Sequence, residues 1–348
     1  MTRGRAVLAV LVIGVLVLGA FAGCAKKEAE KPSGQAGPAP KVIRLACGMP
    51  TGYNLYHDVQ RIASRVGELS KGALKVEVYG EGSLIKDQDA MEAVTTGAVE
   101  MVSIPAFWVA RVAPLFSLFE LPGLFPSPEV IRQVYDGDLG AQMGEQLKEK
   151  GAVLLGFSDF WVEYIGYATK KPVYVPKDLK GMKLRAGTTT DKLVMEACGA
   201  QPVSLSGAEL YMALQRGTID GAMVATSQLS ERKLYEVVKY LTNLRITQVP
   251  YPVMINRRFF ESLPADQQKV LADVVREACL EGRAEVGPQE ARWIDDCKKN
   301  GVTLITPTPE QWAQWQELFD RVVYPAYFQK VPELESMVAQ VKKWLGGK

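Results

Sequence analysis

Histidine is nearly missing from this chain of 348 residues: His57 is the single one. A His-ligated metal cluster and a Ser-His-Asp triad both need imidazole, so one ring argues against either. Charge of one sign is also lacking. Lys and Arg number 41 against 39 Asp and Glu. Arg3 and Arg5 are the only charges in the first 23 residues, so beyond them the count is 39 to 39. A balanced chain has no bulk electrostatic reason to bind nucleic acid. Cysteines are five, and none stands in a C-x-x-C pair, so a zinc or thioredoxin motif is unsupported. No P-loop, G-x-S-x-G or H-E-x-x-H occurs, and Gly80-Glu-Gly82 lacks the third glycine of a dinucleotide fingerprint. Ser230-Glu-Arg-Lys233 fits S-x-x-K, but in a charged helix it reads as a solvated face. No catalytic constellation is present, and no cofactor or metal is expected. Hydrophobic residues at 47% and charged residues at 23% are ordinary globular composition. The length suggests two lobes, since single cores stop growing near ~250–300 residues.

The chain opens with Arg3 and Arg5, then an apolar run from Ala6 to Ala22. A basic start, an apolar stretch and small residues are the layout of an export signal, read here as 1–23. Its 17 apolar residues sit at the lower edge of a spanning length, which leaves a permanent anchor as the rival reading. Phe21-Ala-Gly-Cys24 resembles a bacterial lipobox, in which the Cys is acylated and the chain is cut before it; Phe replaces the usual Leu. Ala20-Phe-Ala22 is also an ordinary cleavage site. Residues 24–40 are charged, then rich in Pro, Gly, Ser and Ala, as a tether between anchor and fold would be. The expectation is an exported protein held at the outer face of the cytoplasmic membrane through Cys24. Cys47, Cys198, Cys279 and Cys297 read as buried thiols, with no pairing assigned.

From Lys41 the pattern is α/β. Lys41–Cys47 reads as a strand. Leu55, Val59, Ile62, Val66 and Leu69 recur at helical spacing, with Gly72 just past the end. Ala73–Tyr79 alternates as a half-buried strand does. Strand, helix and strand predict a βαβ unit and a parallel sheet. An internal echo is more telling. Met91-Glu-Ala-Val-Thr-Thr-Gly-Ala-Val-Glu100 and Tyr211-Met-Ala-Leu-Gln-Arg-Gly-Thr-Ile-Asp220 both run from helix through Gly to strand. Gly97 matches Gly217 and Glu100 matches Asp220, which suggests two lobes of related architecture. Phe116 to Pro126 is apolar but broken by Pro122 and Pro126, so it reads as neither helix nor central strand. Further strands are expected at 151–157, 182–185, 201–205 and 301–305. A long helix is expected after Pro264.

Arg185 stands out. It ends a strand just ahead of a helix N-terminus, where ligands of parallel α/β sheets collect. A guanidinium there is a planar fork suited to a carboxylate. The residue alone leaves two readings open, a ligand clamp or a structural partner of a nearby Asp or Glu.

Several motifs in order resemble the dicarboxylate-type solute-binding proteins of TRAP (tripartite ATP-independent periplasmic) transporters. They are Gly97-Ala-Val-Glu-Met101, Phe119-Glu-Leu-Pro-Gly-Leu-Phe125, Asp178-Leu-Lys-Gly-Met-Lys-Leu-Arg185, Gly199-Ala-Gln-Pro-Val203 and Glu209 to Gly221. The resemblance runs from about Lys41 to the C-terminus. It implies a two-lobed periplasmic-binding-protein-like fold of the type II class, with hinge strands and a long lobe-spanning helix. Lobe I is expected at 41–162 plus 251–290, and lobe II at 163–250 plus 291–348. The family implies a binding protein, not an enzyme, that closes on a small organic acid and delivers it to an ion-gradient-driven permease. Arg185 matches the family's carboxylate-gripping arginine.

This chain departs from the family pattern in ways that bear on the ligand. Glu163-Tyr-Ile-Gly-Tyr-Ala has no Arg where many members carry a second one. Asp220-Gly221 is followed by Ala222, Met223 and Val224 instead of a polar pair. Gly207 is small where some members have an aromatic. Together these predict one carboxylate and an apolar or aromatic body, walled by Trp108, Trp161, Tyr164 and Tyr251. Two rival readings are a sensory protein of the same fold that presents its ligand to a receptor, and an exported hydrolase, which the single His disfavours.

Overall fold

A computed structural model describes residues 39–49, 51–160, 164–205, 209–246 and 248–346. The export signal 1–23, Cys24 and the tether up to residue 38 lie outside the described residues, as do Trp161 and Gly207. The described strands are, in chain order, β1 Lys41–Cys47, β2 Leu74–Tyr79, β3 Met101–Ser103, β4 Ala152–Ser158, β5 Ile165–Thr169, β6 Lys183–Ala186, β7 Gln201–Ser204, β8 Gly221–Ala225, β9 Tyr240–Asn243, β10 Tyr251–Asn256 and β11 Thr303–Ile305. They form two sheets, ordered β2-β1-β3-β10-β4 and β11-β9-β5-β8-β6-β7.

The two sheets share a plan. In the first, β1 lies between parallel β2 and β3, and antiparallel β10 and then β4 follow. In the second, β6 lies between parallel β7 and β8, and antiparallel β5 and then β9 follow, with β11 added at the edge. The sequence echo sits at equivalent corners of this plan. Gly97 and Gly217 end their helices in the left-handed region, at φ 86° and 70°. That conformation is one a side chain resists, and it turns the chain directly into β3 or β8. The echoed acids then do the same work. Glu100 accepts the backbone N–H of Arg44 in β1 at 2.9 Å, and Asp220 accepts that of Lys183 in β6 at 2.8 Å. The expected parallel pairing is present, but each sheet is mixed, because β10 and β5 are the strands that exchange between sheets and must return antiparallel.

The chain passes from sheet to sheet between β4 and β5 and again between β9 and β10. The helix Ala265–Lys299 makes a third link. Its buried Leu271, Val274, Val275, Ala278 and Cys279 pack with Ile43, Leu45 and Val253 under the first sheet. Cys297, about five turns beyond Cys279, packs with Val224 and Leu241 under the second. A largely apolar helix face therefore ties both sheets to one rod.

Two expectations need correction. Leu69, which helical spacing groups with Leu55, Val59, Ile62 and Val66, is 58% exposed at the last residue of the helix Asn54–Leu69. The segment from Pro114 does contain a helix, a 3-10 helix over Pro114–Glu120. Pro122 and Pro126 fall after it, and Pro114 occupies the first helical position, where its missing N–H costs nothing. Phe116, Leu118, Phe119, Leu124 and Phe125 are all buried in the largest core cluster. The four described cysteines are free and buried. Burial pushes Cys47 up to about 11 and the other three up to about 12, so none is a reactive thiolate.

Candidate functional site

A cavity of about 560 Å3 lies where the carboxyl ends of strands from the two sheets face each other. The first sheet contributes Gly48 and Met49 after β1, and Pro105, Phe107 and Trp108 after β3. The second contributes Arg185 from β6, Met223 and Ala225 from β8, Ser227, Gln228 and Glu231 from the helix Thr226–Glu231 that follows, and Arg232 just past its end. The crossings supply Phe160, Gln248, Val249 and Tyr251. Asp87 completes the wall from the helix Asp87–Thr96.

Arg185 is half-buried, and its Nε donates to the Leu205 carbonyl at 3.2 Å. Among the described residues it makes no ion pair. Burial lowers its pKa; the charge of Asp191 opposes that shift and the like charge of Arg232 adds to it. Asp191 itself is committed to the loop after β6. One oxygen accepts the N–H groups of Gly187 and Thr188, both at 2.8 Å, and the Thr188 hydroxyl accepts the Asp191 N–H at 3.1 Å. That reciprocal pair of bonds caps the N-terminus of the helix Thr189–Ala197. It fixes the loop that follows Arg185. Burial pushes the Asp191 carboxyl up to about 6.

The walls are aromatic. Phe160 lies 5.9 Å from Tyr53, 6.0 Å from Trp293 and 6.2 Å from Tyr251, centroid to centroid. Phe107 packs 5.4 Å from Trp108, whose ring also carries the Arg111 guanidinium 4.0 Å from its centroid. Across the cavity, the Tyr53 hydroxyl donates to the Glu231 carboxylate, a bond from the first half of the molecule to the second. A second cavity of about 710 Å3 adjoins at Phe107, Trp108, Gly187 and Thr188, and adds Arg111, Lys192, Lys330 and Glu120.

The structure thus brings together Arg185, Trp108, Met223 and Tyr251. It does not bring Val224 or Tyr164 to this cavity. Met223 and Ala225 face it, and the two-residue period of a strand turns Val224 to the far side, where it joins the core with Leu214 and Leu241. Tyr164 packs on that same core, its hydroxyl 3.3 Å from Thr306 Oγ1. Trp161 and Gly207 lie outside the described residues. Sequence reasoning misses Asp87, Phe107, Tyr53 and the Glu231–Arg232 pair, whose pattern is that of a solvated helix face. Gly48 and Asp87 are 39 positions apart, and only the fold of β1 against the second helix makes them neighbours. Among the described residues no group of three His, Cys, Asp or Glu could hold a metal ion.

A family model described as bacterial extracellular solute-binding protein, family 7, matches residues 46–330. The C4-dicarboxylate-binding periplasmic protein DctP of Rhodobacter capsulatus is 30% identical over 259 residues, 73% of this chain and 76% of its own. A solute-binding protein of Albidiferax ferrireducens is 29% identical over 298 residues, 82% of this chain and 85% of its own. Among solved structures, a TRAP periplasmic solute-binding protein from Ochrobactrum anthropi superposes with a TM-score of 0.82 at 26% identity, over 89% of this chain and 97% of its own. Another from Sulfurospirillum deleyianum, solved with bound succinate, superposes with a TM-score of 0.74 at 26% identity, over 88% and 99%.

Proposed function

Because the chain belongs to family 7 of the bacterial extracellular solute-binding proteins, the solute-capturing components of TRAP transporters, we propose that it captures a small organic monocarboxylate with an apolar or aromatic body. Members of this family are transport proteins and work with membrane permease subunits. The observation that carries the proposal is the guanidinium of Arg185, without an ion pair among the described residues, at the wall of a cavity between the two sheets. A carboxylate seated on it gains charge-assisted bonds of roughly 1.5–3 kcal/mol each. Micromolar capture requires about 8 kcal/mol, so contact with Trp108, Phe160 and Met223 supplies the rest. What supports a single-ended ligand is apolar Met223 on the cavity wall, at one of the two positions after Asp220-Gly221 where many members carry a polar pair.

Closure follows from the same geometry. A ligand that touches Arg185 on one side and Trp108 on the other binds best with the halves together, so it shifts the population toward the shut state. The lobes that move are 41–162 with 251–290 and 163–250 with 291–348. Residues 1–23 act as the export signal, and Cys24 is the lipid-bearing N-terminus of the mature protein. The basic start, the apolar run and the tether support this reading; intact mass of the membrane-extracted protein, with and without Cys24→Ser, tests it.

The binding site is tested by calorimetry of a panel of small mono- and dicarboxylates against wild type and Arg185→Ala. The variant should lose at least about 100-fold in affinity, the worth of two charge-assisted bonds. Its circular dichroism and melting temperature should stay near wild type. Unchanged affinity would remove Arg185 from the site.

A further inference from the structure

The cavity that holds Arg185 also carries a carboxylate with no partner among the described residues. Asp87 lines the cavity, is half-buried, and has no hydrogen bond or ion pair among the described residues. An acid in the first turn of a helix is ordinary on a surface, where it meets the helix dipole. That role does not explain this placement. Asp87 caps no N–H of its helix, and it leans into the space over Gly48. A Cβ at Gly48 would collide with Asp87 Oδ1, so the missing side chain at 48 is what lets the carboxylate sit there. Burial raises its pKa, the cost of keeping it in this position.

We propose, resting on the carboxylate reading of the site, that the captured solute is a zwitterion, an amino acid or related ammonium carboxylate, with its carboxylate on Arg185 and its ammonium on Asp87. Arg185 belongs to β6 of the second sheet, and Asp87 opens a helix that packs on β3 and β10 of the first. One ligand satisfying both therefore bridges the halves, and neither charge is fully paired until they meet. The remaining charged lining fits this sense. Glu231 and Arg232 add one acid and one base, so the cavity is balanced where a dianion would want excess positive charge. A carboxylate placed beside Asp87 would be repelled there, so that position disfavours a second acid group. The faces of Trp108, Phe160 and Tyr251 add a surface on which an alkylated or bare ammonium is favoured.

The test is calorimetry with matched probes: L-phenylalanine against 3-phenylpropanoate, L-leucine against 4-methylpentanoate, the other proteinogenic amino acids against their deamino acids, and succinate. The expected result is at least one amino acid bound about 10-fold or more tighter than its deamino partner, the scale of one charge-assisted bond. Asp87→Asn, of the same shape, should erase that preference and leave the deamino partner within about 3-fold of its wild-type affinity. Arg185→Ala should abolish both. A deamino acid or succinate bound as tightly as or more tightly than the amino acids overturns the zwitterion and leaves the Arg185 site standing. A preference that survives in Asp87→Asn overturns it equally. If no carboxylate of any kind binds, the site reading and the zwitterion fall together.

Discussion

Glu120 shows how much one side chain can be made to carry. It sits in the 3-10 helix, where the Tyr327 hydroxyl donates to its Oε2 at 3.0 Å and the Thr190 hydroxyl, 2.6 Å from Tyr327, donates to its carbonyl at 3.2 Å. Burial pushes its carboxyl up to about 7; the Tyr327 bond works against that shift and the charge of Asp191 with it. A carboxyl in the unfolded chain titrates near ~4.3. The folded state therefore holds a proton that the unfolded state releases. The stability this adds is complete below about pH 4 and is lost as the pH rises through about 7. Glu120→Gln keeps an acceptor for Tyr327 but cannot ionise. Relative to wild type, its melting temperature should rise between pH 5 and pH 8. A gap between the two proteins that stays constant over that range would show Glu120 to be ionised and paired throughout.

At the scale of elements, the helices Asn54–Leu69 and Ala265–Lys299 are locked by a notch. Asp58 is fully buried, and a Cβ at Gly282 would collide with its carboxylate. A Cβ at Gly67, on the other helix, would meet nothing closer than 4.0 Å. Helix propensity favours alanine at both positions by about 1 kcal/mol. The outcomes should nonetheless have opposite signs. Gly67→Ala should stabilise by about 0.5–1 kcal/mol, and Gly282→Ala should destabilise by about 1–3 kcal/mol from overpacking. Urea denaturation of both variants checks this; a stabilising Gly282→Ala would mean the helix pair has slack. The same scale shows where periodicity stops informing. β8 reads Gly-Ala-Met-Val-Ala and every residue is buried. A strand covered on both faces is apolar throughout, so no alternation in the sequence distinguishes Met223, on the cavity, from Val224, in the core. The junctions at Gly97 and Gly217 are legible for the opposite reason: a left-handed cap is a local requirement that one residue type meets.

The described residues form two sheets of one plan, joined by two crossings and a shared helix. The bond from Tyr53 to Glu231 spans the cavity between them. If binding works by bringing the halves together, this bond belongs to the shut state. Tyr53→Phe should then weaken solute affinity by about 2–10-fold, the worth of one hydrogen bond. The Arg185 contacts and the secondary structure should be untouched. Calorimetry reads the affinity, and small-angle scattering reads the change in radius on ligand addition; unchanged affinity would detach the bond from closure. Ligand at about 100 times its Kd should also protect the fold by about 2.7 kcal/mol, seen as a raised melting temperature.

What the sequence determined alone was local and repeated. Strand and helix types came from periodicity, the doubled plan from two matching helix–Gly–strand junctions, and the prominence of Arg185 from a base at a strand end before a capped helix. The tertiary structure decided convergence. Gly48, Asp87, Trp108, Arg185, Met223 and Tyr251 line one space because strand ends of both sheets and a crossing meet there. No spacing along the chain encodes that meeting. It is set by which apolar faces of distant elements bury one another, and the polar groups stranded between those faces become the site.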